Sequence, residues 1–156
     1  MSTRTDAGAP QDPPFSTTLA VRDRCLCLAA QRAGRALARR FDAALRPFGL
    51  TNGQFSLLMS LNRPQAPTMG EVAATLAMDR TTLTAALKPL IRRGLAQAAP
   101  DPQDRRGRRL GLTEDGRALL ARALPAWSAT HDAVDAELAE AGLTPETLRA
   151  ALWALA

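Results

Sequence analysis

The stretch "PDPQDRRGRRLGLTEDGRALL", from Pro100 to Leu120, places four arginines around one glycine and then reads as the start of a helix. The segments "LAQAA" before it and "RRLGL" within it can pair as two short strands across the turn "PDPQDRRG". Thr113 follows the second strand and is placed to cap a helix from about Glu114. The stretch therefore predicts a β-hairpin with fixed positive charge at its tip, followed directly by a helix.

Three helices are predicted upstream of the hairpin from their capping residues. The capping signals are Thr51 with Gln54, Thr68 with Glu71, and Asp79. They open the segments "TNGQFSLLMSL", "TMGEVAATLA" and "RTTLTAALKPLIRR", and Gly94 closes the last of these. Because only Met78 separates the second segment from the cap of the third, these two helices form a candidate helix-turn-helix.

Helices are also predicted at both ends of the chain. A long helix is predicted from about Thr18 to Arg46, because apolar residues recur at intervals of three and four from Leu26 to Leu45, and Gly49 ends this helix. Thr144 and Pro145 open a last helix, whereas the proline-containing residues 1–16 read as a disordered tail. With 46% apolar residues, 4% aromatic residues and no tyrosine, the chain is expected to be mainly α-helical.

The helix after Asp79 has one apolar face and one polar face. Its leucines and isoleucine form a predicted buried stripe, which comprises Leu83, Leu87, Leu90 and Ile91. The polar face combines cations with short hydroxyl side chains, which can approach a groove closely and reach base edges or phosphates. The candidate DNA-binding residues of this helix are Arg80, Thr81, Thr82, Thr84 and Lys88. Taken alone, the same face also fits an ordinary solvated helix surface.

The arginines of the hairpin strengthen the nucleic-acid interpretation. Arg105, Arg106, Arg108 and Arg109 follow a few residues after this helix, so they can reach a phosphate row or groove beside it. Charge is concentrated in the same region, because residues 80–117 carry nine basic and four acidic side chains. Residues 118–156 carry two basic and five acidic ones. Nineteen of the twenty basic residues are arginine, which suits forked phosphate contacts and narrow grooves.

The segment "DRRGRRLGLTEDG", Asp104 to Gly116, resembles the wing signature of the multiple-antibiotic-resistance regulator (MarR) family. The matching anchors are Asp104, Arg106, Leu112, Thr113 and Gly116. "MDRTTLTAALKPLIRRGL" is similar to the recognition helix of that family, and "GLTNGQFSLL" resembles its second helix. Pro89 departs from a regular helix, because it removes a backbone donor and predicts a bend.

The resemblance implies a mainly α winged helix-turn-helix fold with a short β-hairpin wing. It also implies a homodimer that binds double-stranded DNA, mostly as a repressor. The implied organisation is one domain over residues 17–156, with the winged helix-turn-helix at about 51–116 and dimerisation helices at about 18–46 and 114–156. Arg105, Arg106 and Arg108 would then act in the wing, with Arg106 in the groove. Asp104 would either position Arg106 or Arg80 by a salt bridge or serve only to form the turn. An inverted-repeat operator and a small-molecule effector are the further expected partners.

The two cysteines, Cys25 and Cys27, leave two alternatives open. In the hydroperoxide-sensing branch of the family, a reactive cysteine lies near the start of the first helix, and Cys27 occupies the similar position. The tyrosines of that branch are absent, and Gln31 stands about where one of them would be. The other interpretation makes both cysteines small residues of an interhelical core.

Composition excludes several other classes. A single histidine, His131, and no clustered acidic or thiol ligands argue against an enzyme, a metal site or a cofactor. The sequence has neither an apolar run long enough for a membrane span nor a signal peptide, so a cytoplasmic protein is expected. A non-catalytic helical protein-interaction module remains an alternative, although it leaves the arginine hairpin without a role.

Overall fold

The computed structural model describes residues 12–104 and 107–155. The helices are α1 (Phe15–Arg24), α2 (Leu26–Leu45), α3 (Asn52–Leu61), α4 (Met69–Thr75), α5 (Arg80–Arg92), α6 (Glu114–Glu140) and α7 (Pro145–Trp153). The strands are β1 (Ala96–Pro100) and β2 (Arg108–Leu112). The expectation of a mainly helical chain with one hairpin is confirmed. Chain contacts define two units, one ending at Leu37 and one beginning at Ala38. No described helix is long and apolar enough to cross a bilayer.

In the first unit, the single helix expected from about Thr18 is wrong, because the chain leaves the helical conformation at Cys25 (φ −79°, ψ 99°). The Cys25 thiol accepts a hydrogen bond from the Leu28 amide at 3.3 Å. The backbone carbonyl oxygen of Cys25 accepts a second hydrogen bond, from the Ala29 amide at 3.1 Å. Cys25 thus acts as the cap of α2, where it supplies acceptors for amides that lack partners at a helix start.

In the second unit, the short helices begin where their capping boxes predict. Thr51 and Gln54 exchange side-chain and backbone hydrogen bonds at the start of α3. Thr68 and Glu71 do the same at the start of α4. Each box satisfies two backbone donors that would otherwise lack partners. Upstream of them, a 3-10 helix at Arg46–Phe48 ends at Gly49, whose φ of +65° requires the left-handed region.

The helix-turn-helix is formed by α4 and α5, and its turn is longer than the sequence predicts. Helix α4 ends at Thr75, and Ala77 adopts a positive φ of 50°. The Met78 amide then donates to the Ala73 carbonyl at 2.9 Å, which folds the chain back. Helix α5 runs through Pro89 as one α-helix and is followed by Gly94 at φ +70°. The bend at Pro89 stays a prediction.

The core lies between the end of α2, helix α3, the helix-turn-helix, the hairpin and the first part of α6. Its fully buried large side chains are Leu45, Leu57, Leu58, Val72, Leu83, Leu90 and Leu110. The hairpin strands pair antiparallel, with Ala96 opposite Leu112 and Pro100 opposite Arg108. Strand β2 is also tied to the segment before α4, because the Leu110 amide donates to the Pro67 carbonyl at 2.8 Å.

The junction between β2 and α6 explains the glycine of the wing signature. The Thr113 hydroxyl donates to the Gly94 carbonyl at 2.6 Å and accepts the Gly116 amide at 3.0 Å. These bonds press the first turn of α6 against the chain that follows α5. A Cβ atom at Gly116 would overlap the carbonyl oxygen of Leu95. The glycine is therefore needed for a close approach of two backbones.

Candidate DNA-binding interface

The polar face of α5 is open to solvent. All five candidate residues of this helix are exposed, namely Arg80, Thr81, Thr82, Thr84 and Lys88. Leu83, Leu87 and Leu90 are buried on the opposite side, as the spacing predicts. The expectation for Ile91 is wrong, because this side chain is 40% exposed. At about 100° per residue, Ile91 lies at the border of the buried stripe rather than within it.

Sequence reasoning missed one cation on this face. Arg92 is exposed and lies one turn after Lys88 and three turns after Thr81, so the three share a side of the helix. Ala85, also exposed, lies between them and leaves room for a close approach. The interval of four residues between Lys88 and Arg92 was the available signal. The polar face of α5 therefore ends in two cations, Lys88 and Arg92, rather than in Lys88 alone.

Asp79 fixes the first turn of α5. One carboxylate oxygen accepts the Thr82 amide at 2.8 Å, and the other accepts the Thr82 hydroxyl at 2.6 Å. These bonds, the hydroxyl first, hold the pKa of Asp79 below its ordinary value. One turn later, the Thr84 hydroxyl donates to the Arg80 carbonyl at 2.7 Å. The threonine side chains at the start of the polar face are thus oriented by the protein itself.

The base of the wing is held by an ion pair that the sequence did not reveal. Asp101 is buried, and its carboxylate accepts a hydrogen bond from Arg109 Nε at 3.0 Å. Arg109 also donates through Nη1 to the Ala66 carbonyl at 3.1 Å. The Gln103 amide, followed by Arg109, lowers the pKa of Asp101. Arg109 therefore fastens the hairpin to the segment before α4 and is not an exposed arginine of the tip.

Of the three remaining wing arginines, only Arg108 lies within the described residues. Arg108 is exposed at the first position of β2. Arg105 and Arg106 lie outside the described residues, so their roles stay predictions. The same holds for the proposed positioning role of Asp104, whose expected partners were Arg106 and Arg80. The signal that could have indicated Asp101 is its place beside β1, diagonal to Arg109 across the hairpin.

The fold brings the start of α5 and the base of the wing to one cleft. This cleft has a volume of about 400 Å³. Arg80 lines it from α5, Arg108 lines it from β2, and Gly70 lines it from α4. Two arginines from separate elements therefore line the same cleft, together with the acidic residues Asp101 and Asp104. Arginine side chains are suited to forked contacts with phosphates.

The cysteines lie in the first unit, away from this set of residues in sequence. Cys27 is exposed and Cys25 is half-buried. The Gln31 side-chain amide donates to the Cys27 sulfur at 3.2 Å. Cys27 is therefore not a core residue within the protomer, and it lies on the helices of about 18–46 that are expected to associate in a dimer, so both interpretations of the cysteines stay predictions.

His131, the single histidine of the sequence, packs against aromatic side chains of the second unit. The His131 ring lies 4.7 Å from that of Phe41 and 4.3 Å from that of Trp127, measured between centroids. Trp127 stacks in turn on Phe55 at 5.7 Å. Over residues 12–104 and 107–155, no group of three or more His, Cys, Asp or Glu side chains is arranged to hold a metal ion.

An exposed helix of a helix-turn-helix beside a two-stranded hairpin defines the winged helix-turn-helix class of DNA-binding folds. Residues 48–107 match the sequence profile of the MarR family. The structure is similar to that of the transcriptional regulator MosR of M. tuberculosis in complex with DNA, with 39% identity and a TM-score of 0.73. That match covers 83% of this chain and 92% of MosR. The chain belongs to the MarR family.

Two further relatives agree with this assignment. The transcriptional repressor CouR, bound to a 23-mer DNA duplex, is 32% identical with a TM-score of 0.69, over 88% of this chain and 93% of CouR. CouR from Rhodococcus jostii RHA1 has also been solved with p-coumaroyl-CoA bound. The transcriptional repressor NicR of Pseudomonas putida is 37% identical over 76 residues, which are 49% of this chain and 48% of NicR. The chain spans about half the length of the curated relatives it matches.

Proposed function

We propose that the protein is a sequence-specific transcriptional regulator that binds double-stranded DNA and represses its target genes. The observation that carries this proposal is the shared cleft of Arg80 and Arg108 beside the exposed threonine face of α5. Recognition helices contact base edges with their N-terminal residues, while neighbouring cations contact phosphates. Arg105 and Arg106 of the wing tip would extend this cationic surface.

The protein acts as a homodimer in this proposal. Residues 17–156 form one domain, in which about 51–116 bind DNA and the helices of about 18–46 and 114–156 associate. Apolar side chains of α7 support association, because Leu148, Leu152 and Trp153 are 37%, 48% and 71% exposed in the protomer. A two-fold axis would put two α5 helices in major grooves about 34 Å apart, so the operator is an inverted repeat with half-sites about ten base pairs apart.

The decisive experiment compares wing and helix variants on two kinds of duplex. Arg108→Ala and Arg106→Ala should weaken binding to operator and random DNA alike, and reduce the salt slope by about one unit for each lost contact. Thr81→Val should weaken operator binding by about 1 to 3 kcal/mol and leave random DNA little changed. Arg122→Ala, which removes a cation from α6, is the control and should change neither. Identical losses for wing and helix variants on both duplexes would contradict the proposal.

A small-molecule effector is part of the proposal. It is supported by the p-coumaroyl-CoA found on CouR, a relative 26% identical in that structure. Aromatic carboxylates and their coenzyme A thioesters are the first compounds to test. Release of the duplex at micromolar concentrations of one such compound would support this regulation, and no release across the panel would contradict it.

Thiol-based redox sensing through Cys27 is the second candidate, supported by the exposure of that thiol. Thiolates react with oxidants only where they are accessible. Peroxide should then weaken DNA binding of the wild type, while Cys27→Ser stays bound and Cys25→Ser behaves like the wild type. Equal responses of wild type and Cys27→Ser would remove this candidate.

The proposal includes no reaction, metal or cofactor, and it assigns the protein to the cytoplasm, where its DNA target lies. The competing class is a helical protein-interaction module without nucleic-acid binding. A duplex-binding titration at several salt concentrations separates the two classes. Binding that weakens linearly with the logarithm of salt concentration supports the regulator, and no binding at low salt supports the interaction module.

A further inference from the structure

The three threonines at the start of α5 differ in the hydrogen bonds that their hydroxyl groups donate. The Thr82 proton is donated to an Asp79 carboxylate oxygen at 2.6 Å. The Thr84 proton is donated to the Arg80 carbonyl oxygen at 2.7 Å. A hydroxyl has one proton and two acceptor lone pairs. Toward any external ligand, Thr82 and Thr84 therefore present acceptors only.

Thr81 is different from its two neighbours. Among residues 12–104 and 107–155, its hydroxyl has no hydrogen-bond partner, and the side chain is exposed. It can therefore either donate or accept. Three chemically identical side chains near the start of α5 thus offer two kinds of contact. Thr82 and Thr84 lie on opposite flanks of Thr81, because side chains two residues apart point about 160° apart around a helix.

Asp79 strengthens the acceptor character of the first turn. Its pKa is lowered, mainly by the hydrogen bond from Thr82, so the group stays a carboxylate at neutral pH. A short bond from a hydroxyl to a carboxylate is among the stronger protein hydrogen bonds. Turning the Thr82 proton toward DNA would require breaking it. Asp79 and Thr82 are both exposed, at the N-terminal end of the helix that the proposed function places in the major groove.

The major groove distinguishes donors from acceptors. Adenine N6 and cytosine N4 are amino donors, whereas guanine O6 and N7, thymine O4 and phosphate oxygens are acceptors. An acceptor-only hydroxyl can bond the first group and not the second. We propose that Thr82 and Thr84 are specificity-determining residues that select adenine or cytosine on the strand they face, at the cost of guanine and thymine. This inference rests on the proposed DNA-binding function. It adds that the base donates, and the threonine hydroxyl accepts, the hydrogen bond in each of these contacts.

The first experiment selects binding sites from a pool of duplexes with random sequence. The wild type should enrich a motif with adenine or cytosine at one position of each half-site for Thr82 and at another for Thr84. Thr82→Val should lose the preference at its own position only, and Thr82→Ser should keep it. The pair Thr84→Val and Thr84→Ser should behave in the same way at the second position. Because Asp79 still accepts the backbone amide of residue 82, the Val variants should fold, which circular dichroism checks.

The second experiment removes the amino group instead of the hydroxyl. In the selected duplex, purine replaces the contacted adenine, or 2-pyrimidinone the contacted cytosine. The wild type should bind this duplex about five- to tenfold more weakly, the worth of one hydrogen bond. Thr82→Val should bind both duplexes equally, while Arg122→Ala, which lies outside α5, should lose affinity as the wild type does.

Each outcome separates this inference from the proposed function. A motif with guanine or thymine at the hydroxyl-dependent positions would overturn the inference and leave sequence-specific binding intact. A motif that neither Thr82→Val nor Thr84→Val changes would also overturn the inference and leave sequence-specific binding intact. If the wild type binds the pool but enriches no motif, the proposed sequence-specific function fails as well.

Discussion

At the residue scale, Gly116 occupies a place where no side chain fits. A Cβ atom there would overlap the Leu95 carbonyl oxygen, so either α6 or the chain before β1 must shift. Gly116→Ala should therefore reduce the free energy of unfolding by about 1 to 3 kcal/mol, the usual cost of overpacking. Urea unfolding measures this, with Gly53→Ala as control, because an added Cβ at Gly53 meets open space. Equal stabilities of the two variants would contradict the close approach.

Asp101 is the second residue whose effect can be predicted, through pH. Its pKa is lowered in the folded protein, by the Gln103 amide first and then by Arg109. Its stabilisation is therefore complete above the unfolded pKa of about 4 and is lost as the pH falls through the lower folded value. Asp101→Asn should be less stable than the wild type at neutral pH, and the difference should shrink in acid.

Urea unfolding of both proteins at pH 7 and at about pH 3 tests this expectation, since the second value lies below the unfolded pKa. Glu114→Gln is the control, because its carboxylate is 88% exposed and forms only a surface pair with Arg117. A difference between wild type and Asp101→Asn that stays constant with pH would show that the carboxylate charge is not what stabilises the wing.

At the element scale, two helices begin at threonines that differ in their capping hydrogen bonds. The Thr113 hydroxyl accepts the Gly116 amide and caps α6, whereas the Thr144 hydroxyl makes no capping bond at the start of α7. Thr113→Val should therefore cost about 1 to 2 kcal/mol, the worth of a good helix cap. Thr144→Val should cost little, and thermal unfolding compares the two. An equal loss would mean that the cap bond of Thr113 contributes nothing.

The elements also show where local sequence signals stop being sufficient. The capping boxes of α3 and α4 lie where predicted, because each is formed within four consecutive residues. The break at Cys25 was not predicted, because cysteine is seldom considered a capping residue and no glycine or proline marks the position. The turn at Ala77 was missed for a related reason, since a positive φ usually indicates glycine.

At the scale of the whole molecule, the dimer is the main expectation. Trp153 and Leu152 are the exposed apolar side chains at the end of α7. Light scattering at micromolar concentration should give twice the chain mass of 16.6 kDa. Leu152→Glu with Trp153→Glu should shift the mass toward the monomer, because charges in an apolar interface are costly. Met59→Glu, at a partly exposed apolar residue of α3, is the control and should leave the mass unchanged.

Sequence alone determined the hairpin, most of the polar face of α5 and the helices other than the break at Cys25. Caps, periodicity and turns depend on residues a few positions apart, so Arg80, Thr81 and Lys88 could be assigned to an exposed face before any contact was known. Only the tertiary structure decided that Asp101 and Arg109 anchor the wing and that Arg80 and Arg108 share a cleft. It also decided that Gly116 meets Leu95. These contacts join elements that are distant along the chain, and their geometry depends on how the buried leucines pack, which no local pattern encodes.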